Sequence, residues 1–222
     1  MNVLDISKRV IYRLPIYFTQ FKSLVRKEGI FSTLKRGFKK VYRFVRSGGK
    51  SSNLMNIVYD DWIKNIESVY LNEESMNDDL SKLKVKPKFS IVFPVWNKSE
   101  KMLSDALFSV VNQIYPNWEI CISDGSSKNV KETREFLKEF QSKYPDRVKF
   151  STIDIPGINI IENSNNAISM ATGDYLVFMD CDDEVSVNCL LELAKGINEN
   201  PKVEFLYSDF DKIDEKGKRF DP

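Results

Sequence analysis

The chain has 222 residues, of which 42% are hydrophobic and 29% charged. These values exclude a disordered or collagen-like polypeptide and suffice for one sizeable domain with an appendage. The sequence contains no histidine, so it offers no His general base, no Ser-His-Asp or Cys-His nucleophile and no His-bearing zinc site. Cys121, Cys181 and Cys189 form no CxxC pair, a pattern that fits a reducing compartment better than a disulfide framework.

The formal net charge of +1 conceals a split. Residues 1–50 carry 13 Lys and Arg against Asp5 and Glu28, a net +11, and the remainder carries a net −10. The first segment reads as two short helices. Tyr17, Phe18, Phe21, Leu24 and Val25 recur at helical spacing before Gly29, and Phe31, Leu34, Phe38, Val41, Tyr42 and Val45 do so before Gly48-Gly49. Lys35, Arg36, Lys39, Lys40, Arg43 and Arg46 crowd the second helix. A basic face beside an aromatic face suits an anionic membrane surface, the alternative being that the arm packs on another protein or another part of the same one. No run of about 18 apolar residues occurs, no signal peptide is recognisable, and nothing resembles a motif that reads nucleic acid. The expected location is cytoplasmic, peripheral at the inner face of the cell membrane. Residues 51–87 read as a linker, an amphipathic helix over residues 57–71 with Tyr59, Trp62, Ile63 and Ile66, and a polar stretch ending at Pro87.

From Lys88 to Pro222 strands and helices alternate. Strands are expected at 89–95, 118–122, 148–153, 175–179 and 203–207, and helices at 100–114, 131–144, 163–171 and 187–198. That order predicts an α/β fold with a mainly parallel sheet and helices on both faces. Asn97, Asp124, Asp180, Asp182, Asp183 and Asp209 then all fall just past the carboxyl ends of strands, the edge where open parallel sheets bind ligands. Clustered carboxylates with no basic residue inside their turns repel one another unless a cation intervenes, and hard oxygen donors suit Mg²⁺ or Mn²⁺ shared with phosphate. Each feature also has a plain structural reading. Asp124-Gly125-Ser126-Ser127 makes a good turn, and Asp182, Asp183 and Ser186 are suited to capping the next helix.

Five ordered motifs resemble the family 2 glycosyltransferases, inverting enzymes with a Rossmann-like nucleotide-sugar-binding fold. They are Phe89-Ser-Ile-Val-Phe-Pro-Val-Trp-Asn97, Ser109 to Ile120, Ile122-Ser-Asp-Gly-Ser-Ser127, Asn165 to Asp180, and the DxD-like Asp180-Cys-Asp-Asp183. Tyr207 to Arg219 is similar to members that build bacterial surface polysaccharides. The resemblance implies that Asp124 accepts the N3–H of uracil or thymine, with Pro94 and Val95 flanking the base and Asn97 shaping its pocket. It implies that Asp180 faces the ribose, and that Asp182, supported by Asp183, holds Mn²⁺ or Mg²⁺ on the diphosphate. The donor would be a UDP- or dTDP-sugar and the acceptor a glycan or a lipid-linked glycan. In the family the proton-accepting carboxylate lies further along, so the base is expected beyond Pro222, and the 222 residues alone are expected to transfer sugar poorly. The competing reading is a non-catalytic remnant or interaction module that binds nucleotide only. A nucleotidyltransferase would want a Gly-rich loop after the first strand, and Trp96-Asn-Lys-Ser-Glu100 has no glycine. The expected organisation is a basic arm (1–50), a linker with a helix (51–87) and the donor-binding half of a transferase domain (88–222).

Overall fold

The computed structural model describes residues 59–127, 130–154, 159–214 and 216–220. The basic arm lies outside these residues. The described residues divide into two units, one within residues 68–208 and the other comprising residues 59–67 with those of 209–220.

In the first unit, α1 (Glu73–Lys82) precedes β1 (Phe89–Val95), α2 (Glu100–Val111), β2 (Trp118–Asp124), α3 (Val130–Lys143), β3 (Val148–Thr152), α4 (Ile160–Ser169), β4 (Tyr175–Phe178) and α5 (Cys189–Glu199). The four strands form one sheet in the order β3-β2-β1-β4. Every pair is parallel; Phe89 lies opposite both Trp118 and Tyr175, and Ile120 opposite Val148. The chain steps outward from β1 to β3, then returns to place β4 on the other side of β1. The reversal of order therefore falls between β1 and β4, and ligand crevices open at the carboxyl ends of strands at such a point.

Strand periodicity sorts the two faces. Phe89, Ile91, Phe93 and Val95 of β1 and Trp118, Ile120 and Ile122 of β2 enter the main core. There they meet Leu103, Leu107 and Val110 of α2, Leu137 and Phe140 of α3, and Leu190, Leu191 and Ala194 of α5. Val92 and Cys121 face the other way, onto Ala167 of α4. Helices thus cover both faces, as the strand-helix alternation predicts. Each wholly buried Leu, Ile or Phe contributes roughly 2 kcal/mol. Tyr115 is also fully buried, and its hydroxyl donates to Pro87 O at 2.7 Å.

Two sequence expectations change. The polar stretch over residues 72–86 is not irregular, because residues 73–82 form α1. Asn72 caps it by accepting from Ser75 N, and Met76 is buried in the core with Leu80 and Leu83 packed beside it. The strand expected at 203–207 is absent. Val203 and Leu206 reach the core, and the Tyr175 hydroxyl donates to Val203 O at 3.3 Å, but these residues pair with no strand of the sheet. Without a backbone ladder the apolar alternation makes no strand. Asp209 therefore follows no strand.

In the second unit, residues 59–62 are α-helical and Ile63–Glu67 form a π-helical turn. β5 (Lys212–Ile213) and β6 (Arg219–Phe220) pair antiparallel. Their turn is closed by Asp214, whose carboxylate accepts from Lys216 N and Lys218 N, and Gly217 supplies the left-handed residue at φ 77°. The Arg219 guanidinium binds Glu67 at 2.7 Å and the Tyr59 hydroxyl at 2.8 Å, and it pairs with Asp211. The Tyr59 hydroxyl in turn donates to Asp211.

Candidate active site at the carboxyl edge of the sheet

The turns after β1 and β2 are tied together. Asn97 takes the left-handed conformation at φ 50°, which asparagine tolerates better than bulkier residues. Its backbone N–H donates to Ser126 Oγ at 2.9 Å, its Nδ2 donates to Ser127 Oγ at 3.3 Å, and its Oδ1 accepts from Ser127 N at 2.9 Å. Gly125 N donates to Val95 O at 3.1 Å. Asn97 and the Asp124 turn are thus brought together, as their strand-end positions predict.

Asp124 has no exposed surface. Its Oδ1 accepts from Ser126 N at 3.0 Å, and its Oδ2 accepts from Arg134 Nε at 2.9 Å. Arg134, on α3, also binds Asp154 beyond β3 through Nη2. Those two carboxylates hold the guanidinium in its charged form; the Asp154 hydrogen bond is the largest cause of its raised pKa. Pro94 and Val95 are buried in β1, and the Val95 side chain belongs to the core. At this edge Val95 offers its carbonyl, which also accepts from Asn163 Nδ2 at 2.9 Å. Asn163 is buried, accepts from Ser123 Oγ at 2.7 Å, and pins α4 to the strand ends.

Across the switch point, β4 leads into the acidic turn. Met179 and Cys181 are buried in the core, while Asp180, Asp182 and Asp183 are exposed. Asp183 N donates to Asp180 O at 3.1 Å, closing the turn. The capping reading of these acids is not what the structure shows. Helix α5 begins only at Cys189, and the side chain that receives its early N–H, that of Leu190 at 2.9 Å, is Gln113. The Asp183 carboxyl is raised above the usual range, first by desolvation and then by the charges of Asp180 and Asp182.

This turn meets the β1 loop through Lys98, whose Nζ lies 2.6 Å from Asp182 Oδ2. The Lys98 pKa is raised, chiefly by that hydrogen bond. The acidic edge therefore has cations of its own, Lys98 and Arg134, which the spacing of the acidic turns did not disclose. The expectation that the acidic turns hold no basic residue is thereby corrected, because Lys98, directly beside Asn97, reaches Asp182. Arg134 on α3 and Asn163 on α4 carried no signal in the sequence, because the partners of each, Asp124 and Asp154 for Arg134 and Ser123 and Val95 for Asn163, lie in other strands and loops.

Among the described residues no group of three or more Asp, Glu, Cys or His side chains converges into a metal cage. The carboxylates of Asp182 and Asp183 nevertheless fit Mg²⁺ or Mn²⁺. Such ions take one or two carboxylates and complete their shell with water and phosphate oxygens, and the mutual repulsion within the turn is of the sign a cation relieves.

The fold and this edge define a Rossmann-like α/β domain with an acidic turn beside its topological switch point. Residues 90–220 match the glycosyl transferase family 2 model, and the chain belongs to that family. It is 29% identical over 143 residues to the O-antigen biosynthesis protein RfbC of Myxococcus xanthus, covering 64% of this chain and 11% of that protein. It is 31% identical over 113 residues to the GalNAc(5)-diNAcBac-PP-undecaprenol beta-1,3-glucosyltransferase of Campylobacter jejuni, covering 51% of this chain and 35% of that protein. The crystal structure of S. aureus TarS 1-349 superposes with a TM-score of 0.46 at 27% identity, covering 51% of this chain and 33% of that one. The chain thus spans about a third or less of the length of these relatives.

Proposed function

We propose that this chain is the donor-binding part of a glycosyltransferase that takes a UDP- or dTDP-sugar and serves a glycan or lipid-linked acceptor in making a bacterial surface polysaccharide. The observation that carries this reading is the acidic turn at residues 180–183 beside the switch point, held against the Asn97 and Asp124 turns by Lys98. Family membership and relatives named for O-antigen biosynthesis and for an undecaprenol-linked acceptor support it.

In this reading Asp124 receives the N3–H of the base. Each carboxylate oxygen carries a second acceptor site beyond those used by Ser126 and Arg134. Because Asp124 is enclosed, the base reaches it only if the turn above yields. The backbone of Pro94 and Val95 borders the base and Asn97 shapes the pocket wall. Asp180 faces the ribose, and Asp182, supported by Asp183, holds Mg²⁺ or Mn²⁺. When bound, such an ion stabilises the charge that grows on the departing nucleoside diphosphate. The proton of the attacking acceptor hydroxyl goes to a carboxylate base. The organisation 1–50, 51–87 and 88–222 assigns the arm to an anionic membrane surface at the cytoplasmic face. Among the described residues no helix is long and apolar enough to cross a membrane.

Calorimetric titration with UDP and dTDP, with Mn²⁺, Mg²⁺ or chelator, tests the reading. Metal should tighten nucleotide binding, and Asp182→Ala should weaken the metal-dependent binding by tenfold or more, about 1.4 kcal/mol. Asp124→Ala should weaken uridine itself with or without metal. Equal nucleotide affinity with metal and with chelator would remove the metal role, and unchanged uridine affinity in Asp124→Ala would remove the base contact.

A further inference from the structure

The Lys98–Asp182 pair joins the two loops that flank the switch point. Lys98 follows β1 and Asp182 follows β4, the two adjacent strands between which the sheet order reverses. The Nζ to Oδ2 distance is 2.6 Å, and the side chains are 33% and 38% exposed, so the pair is open to solvent rather than part of the core. The backbone beneath Lys98 is set on both sides. Asn97 is locked at φ 50° by Ser126 and Ser127, and Ser99 caps α2 by accepting from Met102 N. The movable part is the four-carbon stem, which carries a compact charge on a flexible tether. Asp182 is also the carboxylate assigned to the metal in the proposed function. An ammonium and a divalent cation on one carboxylate oxygen repel each other at contact distance, well inside the screening length of about 8 Å at physiological ionic strength.

We propose that Lys98 is a tethered placeholder cation. It holds Asp182 while the site lacks donor, and moves to a phosphate oxygen when a nucleoside diphosphate enters, leaving Asp182 to the divalent cation. Nucleotide and metal then bind with positive coupling, because the diphosphate draws off the lysine that otherwise competes with the ion. Lys98 is on this account a donor-positioning residue, and it makes the ordering of nucleotide and metal a property of the protein as well as of their affinity in solution.

The proposal rests on the assignment of Asp182 to the metal, and the test separates the two. Mn²⁺ binding to the full chain is followed by electron paramagnetic resonance of the free ion, without nucleotide and with saturating UDP; UDP binding without metal is followed by calorimetry. Lys98→Met should bind Mn²⁺ about tenfold more tightly than wild type in the absence of nucleotide and UDP about tenfold more weakly in the absence of metal, each near 1.4 kcal/mol. Lys98→Arg, which keeps the charge, should stay close to wild type in both. Lys101→Met, which removes an equal charge from the exposed face of α2, should change neither. Opposite shifts in metal and nucleotide affinity are what a merely structural salt bridge does not produce. If wild type binds Mn²⁺ with UDP but Lys98→Met leaves the nucleotide-free Mn²⁺ affinity unchanged or weaker, the placeholder role is wrong and the metal assignment stands. If wild type binds no Mn²⁺ even with UDP, the metal assignment fails and the placeholder role goes with it.

Discussion

Glu119 is a carboxylate buried in β2, away from the acidic edge. Lys88 Nζ lies 2.6 Å and Lys149 Nζ 3.0 Å from its Oε2, while Ser90 Oγ and Thr172 N donate to Oε1 at 2.7 and 2.6 Å. Desolvation pushes its pKa up, but the hydrogen bonds from Lys88, Ser90, Thr172 and Lys149 together outweigh it and bring the group from 4.5 down to about 2. The folded value lies below the unfolded one. The stabilisation is therefore complete above pH 4.5 and lost as pH falls toward 2, and it amounts to about 3 kcal/mol. Urea denaturation should show Glu119→Gln less stable than wild type at pH 7, with the gap narrowing by about 2 kcal/mol on acidification to about pH 2.5. A gap that does not change with pH would contradict the assignment. At this scale the sequence disclosed the polar residues at strand ends, because their offset from apolar runs is fixed by the chain. It did not disclose Glu119, Arg134 or the partner of Lys98, because each pairing joins segments that only the sheet order brings together.

Elements whose apolar pattern and backbone partners agree were legible. β1 to β4 and α2 to α5 lie within a few residues of where periodicity places them. The exceptions show what periodicity omits. α1 carries so many acids that its apolar Met76 and Leu80, continued by Leu83 just past its end, are easily missed, and only burial against the core reveals them. Residues 203–207 have strand-like alternation, yet Phe205 and Tyr207 are more than four-fifths exposed and no ladder forms. Tyr59 and Arg219 were not linked by any local signal, although Arg219 joins Glu67, Asp211 and Tyr59. Arg219→Met leaves two carboxylates without that cation. The fully buried case costs about 3–5 kcal/mol; with Arg219 one-third exposed, about 1–2 kcal/mol is expected. Hydrogen exchange of the amides at 59–67 should then accelerate about tenfold. Unchanged protection there would show that the helix is held by something else.

The whole molecule is two opposite charges in sequence, net +11 over residues 1–50 and net −10 over the rest. Their near cancellation hides the feature that bears on location. The arm should bind vesicles containing anionic lipid, and that binding should fall steeply with salt, since exposed charges are screened beyond about 8 Å at physiological ionic strength. Chain lacking residues 1–50 should not bind them. Equal binding of the full chain to neutral and anionic vesicles would count against the arm's role.

The sheet order also has a consequence in time. β1 is an inner strand, yet its partner on one side is encoded far downstream: Lys88 and Asp174, joined at 2.7 Å at the start of β1 and β4, are 86 residues apart. At about 5–20 residues per second, a ribosome needs roughly 4–17 s to deliver that partner after β1 emerges. Through that interval β1 can pair with β2 but presents its other edge unpaired, with Ile91 and Phe93 waiting for the rest of their core. Nascent chains of this length are the ones on which a chaperone, or a neighbouring ribosome's product, would find the sheet open.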